Sequence, residues 1–276
     1  MTVETTAGTT AANAMDAAFE RLRAADRLAF IPYLTAGYPD REATLALAAT
    51  FASHGADMIE LGVPFSDPMG DGPTIQRSSY MALRGGMTVR GALDLARALG
   101  ERTGAPLVLM GYYNPIARYG AQRFCADAAT SGVSALIVPD LPLEESDELR
   151  LACRAHDMHL IYLLAPTSTG ARIDAVTARA SGFIYCMAVT GVTGARADLA
   201  DELPAFLARV RERTTLPLVV GFGISRPEHV ARLHGLADGA VVASALVDLI
   251  DRTPADERTD TVAAYVEGMS RACFAS

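Results

Sequence analysis

Apolar residues gather along the chain in eight short runs, LAFIPYLTAG, DMIELGVP, PLVLMGYYNP, ALIVPDLP, HLIYLLAP, GFIYCMAVTG, PLVVGFG and GAVVAS. Strands buried on both faces read as continuous apolar runs like these, whereas a strand with one wet face alternates. Most of the runs end in Gly, Pro, Asn or Asp, the composition of a tight turn. Between them lie stretches with helical spacing at 41–54, 88–102, 117–131, 144–156, 172–180, 205–213 and 227–233, and another precedes the first run at 14–25 with Asn13 as its candidate N-cap. Strand–helix alternation implies parallel pairing. Eight such units without a linker favour a single (β/α)8 TIM barrel with an extra N-terminal helix over an open doubly wound sheet, which the spacing alone also permits. The barrel domain is expected over 13–276. Residues 1–12, MTVETTAGTTAA, are small and polar without periodicity and are expected to form a disordered tail.

In barrels of this kind the chemistry sits at the carboxyl ends of the strands, so the polar residues there are the candidates. They are Glu60, Asp71, Tyr112, Asn114, Asp140, Tyr185, Thr190, Thr193, the glycines of GFGIS and Ser244. Glycines admit an anion close to the backbone, and a helix start offers partly positive N–H groups, so GFGIS after the seventh run and Ser244 after the eighth suggest a phosphate cradle. TGVTGAR after the sixth run adds Gly191 and Gly194 to the same rim.

Two acids stand out. Alternation in DMIE puts Met58 and Glu60 on one face. If that face lines the barrel, the Glu60 carboxyl is desolvated and its pKa rises toward neutrality, as suits a group that gives and takes a proton. Asp71 follows Pro64 and Pro68 and precedes Pro73, which fix its loop without a long secondary element. A salt bridge or a turn cap is the alternative for each acid taken singly, and the pairing favours catalysis.

Charge and composition narrow the partners. With 24 basic and 32 acidic residues, a net −8, and no Lys/Arg cluster, neither nucleic acid nor a membrane surface has electrostatic support, which points to a small molecule. No apolar run approaches the roughly 18 residues of a membrane span, and the chain does not start with a basic-then-apolar leader, so a cytoplasmic protein is expected. Cys125, Cys153, Cys186 and Cys273 form no CxxC pair, which argues against zinc and against a disulfide framework. His156 and His159 have HxxH spacing but straddle a helix end and a strand start, so no metal is expected there.

The motifs ELGVPFSDPMGDGPTIQ, GYYNPI, VPDLPLEES, VTGVTG and GFGIS, in this order and spacing, resemble the tryptophan synthase alpha chain family from about residue 14 onward. The resemblance implies a (β/α)8 barrel that cleaves indole-3-glycerol phosphate to indole and glyceraldehyde 3-phosphate without metal or organic cofactor. By motif, Glu60 resembles the family's proton-transferring glutamate, and Asp71 the aspartate that accepts the indole N–H and stabilises the cationic indolenine. Tyr185 resembles the tyrosine beside the glutamate, and Tyr112 one lining the indole pocket. Gly194, Phe222, Gly223 and Ser244 match phosphate-binding positions. The resemblance also implies a PLP-dependent beta chain as partner in an α2β2 heterotetramer that receives the indole, with the PLP held by that partner. A stand-alone lyase releasing free indole, or a non-catalytic barrel binding a phosphorylated ligand, are the alternatives. Four residues, at three places, depart from the family's usual pattern. Ala243 stands where Gly is common, Ala188 and Val189 stand where Ser-Arg is common, and Gly70 replaces Ala or Met.

Overall fold

The computed structural model describes residues 13–188 and 201–275. Residues 1–12, and with them the expected tail, lie outside the described residues, as do Val189, Thr190, Gly191, Thr193 and Gly194. Eight parallel strands follow one another round a closed ring: β1 (Ala29–Thr35), β2 (Ile59–Gly62), β3 (Leu107–Met110), β4 (Val133–Ile137), β5 (His159–Leu164), β6 (Ile184–Met187), β7 (Leu218–Gly221) and β8 (Gly239–Val242). Their residues are almost all buried, which is why the sequence shows runs and not alternation. β8 closes the ring by pairing with β1, from Ala29↔Gly239 to Pro32↔Val242, as well as with β7. A Cβ at Gly239 would stand 2.9 Å from the Ala29 Cβ and 3.0 Å from its carbonyl oxygen, so this seam depends on a missing side chain.

Twelve helices are described: α1 (Ala14–Ala24), α2 (Arg41–Ser53), α3 (Pro73–Arg84), α4 (Val89–Thr103), α5 (Tyr113–Tyr119), α6 (Ala121–Thr130), α7 (Asp147–Ala155), α8 (Gly170–Thr177), α9 (Leu203–Arg211), α10 (Pro227–Ala231), α11 (Ser244–Arg252) and α12 (Arg258–Arg271). Their ends follow local chemistry. Asn13, Asp40, Thr88 and Thr169 each accept a backbone N–H from the first turn of the helix they precede, worth about 1 kcal/mol apiece. α4 shows the packing logic, with Ala92, Leu93, Leu95, Ala96 and Leu99 buried at helical spacing before Gly104 ends it at φ +65°.

Three elements differ from the sequence reading, and one of them, α12, falls where no helical spacing was read. The stretch 117–131 is two helices, because Gly120 at φ +91° breaks it, and the first begins at Tyr113, whose N–H is taken by the Asp140 carboxylate at 2.9 Å. Asp71 is also not without a supporting element, since α3 starts two residues later at Pro73. The inward face of α3 is Ile75, Ser78, Ser79 and Ala82, too polar to register as an apolar stripe.

Candidate active site

At the carboxyl ends of the strands a small cavity is walled by Tyr33, Glu60, Asp71, Tyr185, Phe222 and Ala243, with Ile75, Met110, Ile137 and Leu163 supplying its apolar surface. Two wider clefts open at the opposite end of the barrel. Several of their charged groups are engaged in the pairs Arg27–Asp57, Arg211–Asp238, Arg150–Asp147 and His159–Asp16. The smaller cavity is the one where buried carboxyls and phenols converge on apolar walls.

Glu60 is 4% exposed, and its Oε2 is the one buried side-chain oxygen without a hydrogen-bond partner among the described residues. Burial, reinforced by the nearby Asp71 charge, pushes its carboxyl up from 4.5 to about 8. Asp71 is buried too, but the Tyr112 hydroxyl donates to its carboxylate, and burial against that bond leaves it at about 6. Near neutral pH the cavity therefore holds one protonated and one ionised carboxyl, a division set by environment and not by residue type.

The loop that carries Asp71 is fixed by bonds at both ends. Asp71 N–H closes a turn on the Pro68 carbonyl at 3.0 Å, and Gln76 Nε2, from the first turn of α3, holds the Asp71 carbonyl at 2.8 Å. Thr74 donates to Asp248 on α11 at 2.9 Å. The Tyr112 hydroxyl also accepts the Gly70 N–H at 3.0 Å, and its ring stacks on Phe65 at 5.4 Å. A Cβ at Gly70 would come within 3.2 Å of the Tyr112 hydroxyl, a contact that a shift of a few tenths of an ångström relieves, so the glycine eases this approach without being required by it.

Both tyrosines of the cavity wall occupy slots left by glycine. Tyr33 on β1 and Tyr185 on β6 lean over the ends of the neighbouring strands, and a Cβ at Gly62 or at Gly221 would lie 2.0 Å from the respective hydroxyl. The Tyr185 ring meets Phe222 edge-on, with centroids 5.8 Å apart. Burial raises the pKa of both phenols well above the usual value, so they stay neutral.

The far side of the cavity carries the glycine-rich turns. Phe222 has φ +66° and Gly223 φ +101°, with open space where a Gly223 Cβ would be. Ser244 opens α11, and no side chain caps that helix, which leaves its first N–H groups directed outward for an anion. Ala243 sits at φ −115°, outside the left-handed region, so this position does not call for the positive φ that only glycine adopts freely.

Of the residues expected from sequence, Glu60, Asp71, Tyr185 and Phe222 line one cavity, Tyr112 reaches it through Asp71, and Gly223 and Ser244 directly follow the lining residues Phe222 and Ala243. Gly194 lies outside the described residues. Tyr33 was missed, although a lone phenol in the apolar run LAFIPYLT was visible. Asn114 and Asp140 do not line the cavity, and Asp140 instead caps the start of α5. Among the described residues no three His, Cys, Asp or Glu side chains are grouped to hold a metal, and His159 is engaged by Asp16 at 3.0 Å and Ser181 at 2.9 Å.

A closed eight-stranded parallel barrel with unequal carboxyls at its mouth and glycine turns after its last two strands defines a TIM-barrel enzyme. A family model described as tryptophan synthase alpha chain matches residues 19–273, and the chain belongs to that family. It is 51% identical to the tryptophan synthase alpha chain of Chloroflexus aurantiacus over 249 residues, 90% of this chain and 94% of that one. The Roseiflexus sp. alpha chain is likewise 51% identical over 252 residues, 91% and 97% of the two chains. Among solved structures, Mycobacterium tuberculosis tryptophan synthase superposes with a TM-score of 0.88 at 36% identity, over 96% of this chain and all of that one. The alpha subunit from Legionella pneumophila gives 0.87 at 34% identity, over 95% and 99%. No helix among the described residues is long and apolar enough to cross a membrane.

Proposed function

We propose that Glu60, Asp71 and Tyr185 carry out the cleavage of indole-3-glycerol phosphate to indole and glyceraldehyde 3-phosphate that belongs to this family. The observation that carries the assignment is the buried Glu60, whose Oε2 has no partner among the described residues, in one cavity with an Asp71 held by its neighbours. Glu60 gives its proton to the indole carbon that bears the side chain, and the ring becomes an indolenine cation. The ionised Asp71 accepts the ring N–H and stabilises that charge as it develops. The Glu60 carboxylate then takes the proton of the side-chain hydroxyl. A carbonyl forms as the carbon–carbon bond breaks, its electrons restore the aromatic ring, and Glu60 ends with its proton returned. Without prior protonation the leaving indole would depart as a carbanion, which is why one carboxyl must be an acid at working pH.

Tyr112, bonded to Asp71 and stacked on Phe65, borders the indole end. Gly194, Phe222, Gly223 and Ser244 hold the phosphate, and that remote contact orients the bond to be broken. The cation-stabilising work is done by side chains of this chain. PLP belongs to a beta chain, which receives the indole in an α2β2 assembly in the cytoplasm. The functional barrel spans 13–276. Indole release from indole-3-glycerol phosphate, measured with and without a PLP-dependent beta chain, tests the proposal. Release that rises on adding the beta chain supports it, and high turnover unchanged by the partner overturns the partnered role.

A further inference from the structure

One polar group in the cavity wall is unused by the reaction above. Tyr33 Oη lies 3.1 Å from Thr35 Oγ1, Thr35 Oγ1 lies 2.7 Å from Ser78 Oγ, and Ser78 donates to the Ile75 carbonyl at 2.9 Å. Tyr33, Thr35 and Ser78 are all buried. Each hydroxyl has a single proton, and a carbonyl can only accept. The Ser78 proton is therefore committed to Ile75, so Ser78 accepts from Thr35 and Thr35 accepts from Tyr33. The chain runs in one direction, from the cavity wall into α3, and turns the Tyr33 proton away from the cavity.

Tyr33 is the register partner of Glu60 across β1 and β2. Both side chains line the same cavity, where a phenol proton free to turn would be drawn to a carboxyl oxygen that lacks a partner among the described residues, since an unmade bond there is costly. Glu60 Oε2 nevertheless has no partner among the described residues, and the Tyr33 proton is committed to Thr35. We propose that Tyr33, Thr35 and Ser78 form a positioning chain that withholds the tyrosine proton from Glu60, so that the carboxyl keeps the proton it must deliver. A donor aimed at a carboxyl stabilises its ionised form and would weaken the incentive to hold the proton. The proposal rests on Glu60 being the proton donor. Other groups facing Glu60 are Asp71, whose charge opposes its ionisation, and Tyr185, whose hydroxyl sits over Gly221, three strands round the ring from β2. β3 presents Val108 opposite Glu60, and Tyr112 beyond it is turned to Asp71.

The test follows the Glu60 carboxyl by ¹³C NMR, assigned by its loss in Glu60→Gln, alongside indole release. Thr35→Val keeps the volume but breaks the chain and frees the Tyr33 proton. Glu60 is then expected to titrate about one unit lower or more, with a several-fold loss of indole release at neutral pH. Tyr33→Phe removes the proton altogether and is expected to leave the titration within a few tenths. Thr35→Val combined with Tyr33→Phe should return both readouts toward the parent protein, and Thr35→Ser should behave as the parent. A merely structural role for Thr35 would not be rescued by Tyr33→Phe, and that result overturns the proposal, as does an unshifted titration in Thr35→Val. If Thr35→Val does not fold, Ser78→Ala leaves Thr35 in place but frees its direction, and the same downward shift, reversed by Tyr33→Phe, is required. A shifted titration with an unchanged rate would instead overturn Glu60 as the proton donor and leave the chain standing.

Discussion

At Glu60 the burial that makes a carboxylic acid useful near neutral pH also works against the fold. Its carboxyl goes from 4.5 to about 8, so between those values the unfolded chain is ionised where the folded one is protonated. The folded state binds the extra proton, and the stability linked to this group is full below about pH 4.5 and is lost as pH rises toward 8. Glu60→Gln is expected to abolish indole release, and by removing this cost to stabilise the fold by ~2–4 kcal/mol at pH 8, with the gain shrinking toward zero near pH 4.5. Thermal melts across that range check the sign. Activity has its own pH signature, since catalysis needs Glu60 protonated and Asp71 ionised. The profile of kcat/KM should be bell-shaped, falling below an apparent value near 6 and above one near 8, both belonging to the interacting pair. Asp71→Asn should remove the acidic limb together with most of the rate, and a retained limb would show that another group titrates there.

At the scale of elements, short parallel strands position the tyrosines by leaving out side chains at their neighbours. Gly221→Ala would put a Cβ 2.0 Å from the Tyr185 hydroxyl, and the displaced ring is expected to cost at least about tenfold in indole release while the far-ultraviolet spectrum stays unchanged. On the turn after the neighbouring strand β8, Ser244→Asp sets a carboxylate at the start of α11, which has no side-chain cap among the described residues, where it competes with a phosphate for the same N–H groups. Its Michaelis constant for indole-3-glycerol phosphate should rise sharply while kcat falls less. Strands, their order and the acids at their ends were legible because period and turn chemistry are local. α3 was not, since Ser78 and Ser79 make a polar inner face whose justification is a hydrogen bond to a strand 43 residues earlier. The Gly62 and Gly221 slots were equally hidden, because what a glycine makes room for is a contact in space and leaves no mark on its neighbours in sequence.

At the scale of the molecule, the eight-unit count carried the fold, and the closed ring chose between the two topologies that spacing allowed. The family model begins at residue 19, and α1 is capped by Asn13. Deleting residues 1–12 is accordingly expected to leave both the melting temperature and indole release unchanged, measured side by side on the full and shortened chains. The seam at β8 has a consequence for the time before the ring exists. While a growing chain has presented only its first seven strands, β1 and β7 are open edges whose amides and carbonyls can join any other strand nearby. β8 satisfies them with four paired positions on one side and two on the other, both beginning at Gly239. Stalled or truncated synthesis just short of that glycine would thus release a sheet with two sticky margins, the kind of species chaperones capture and inclusion bodies collect.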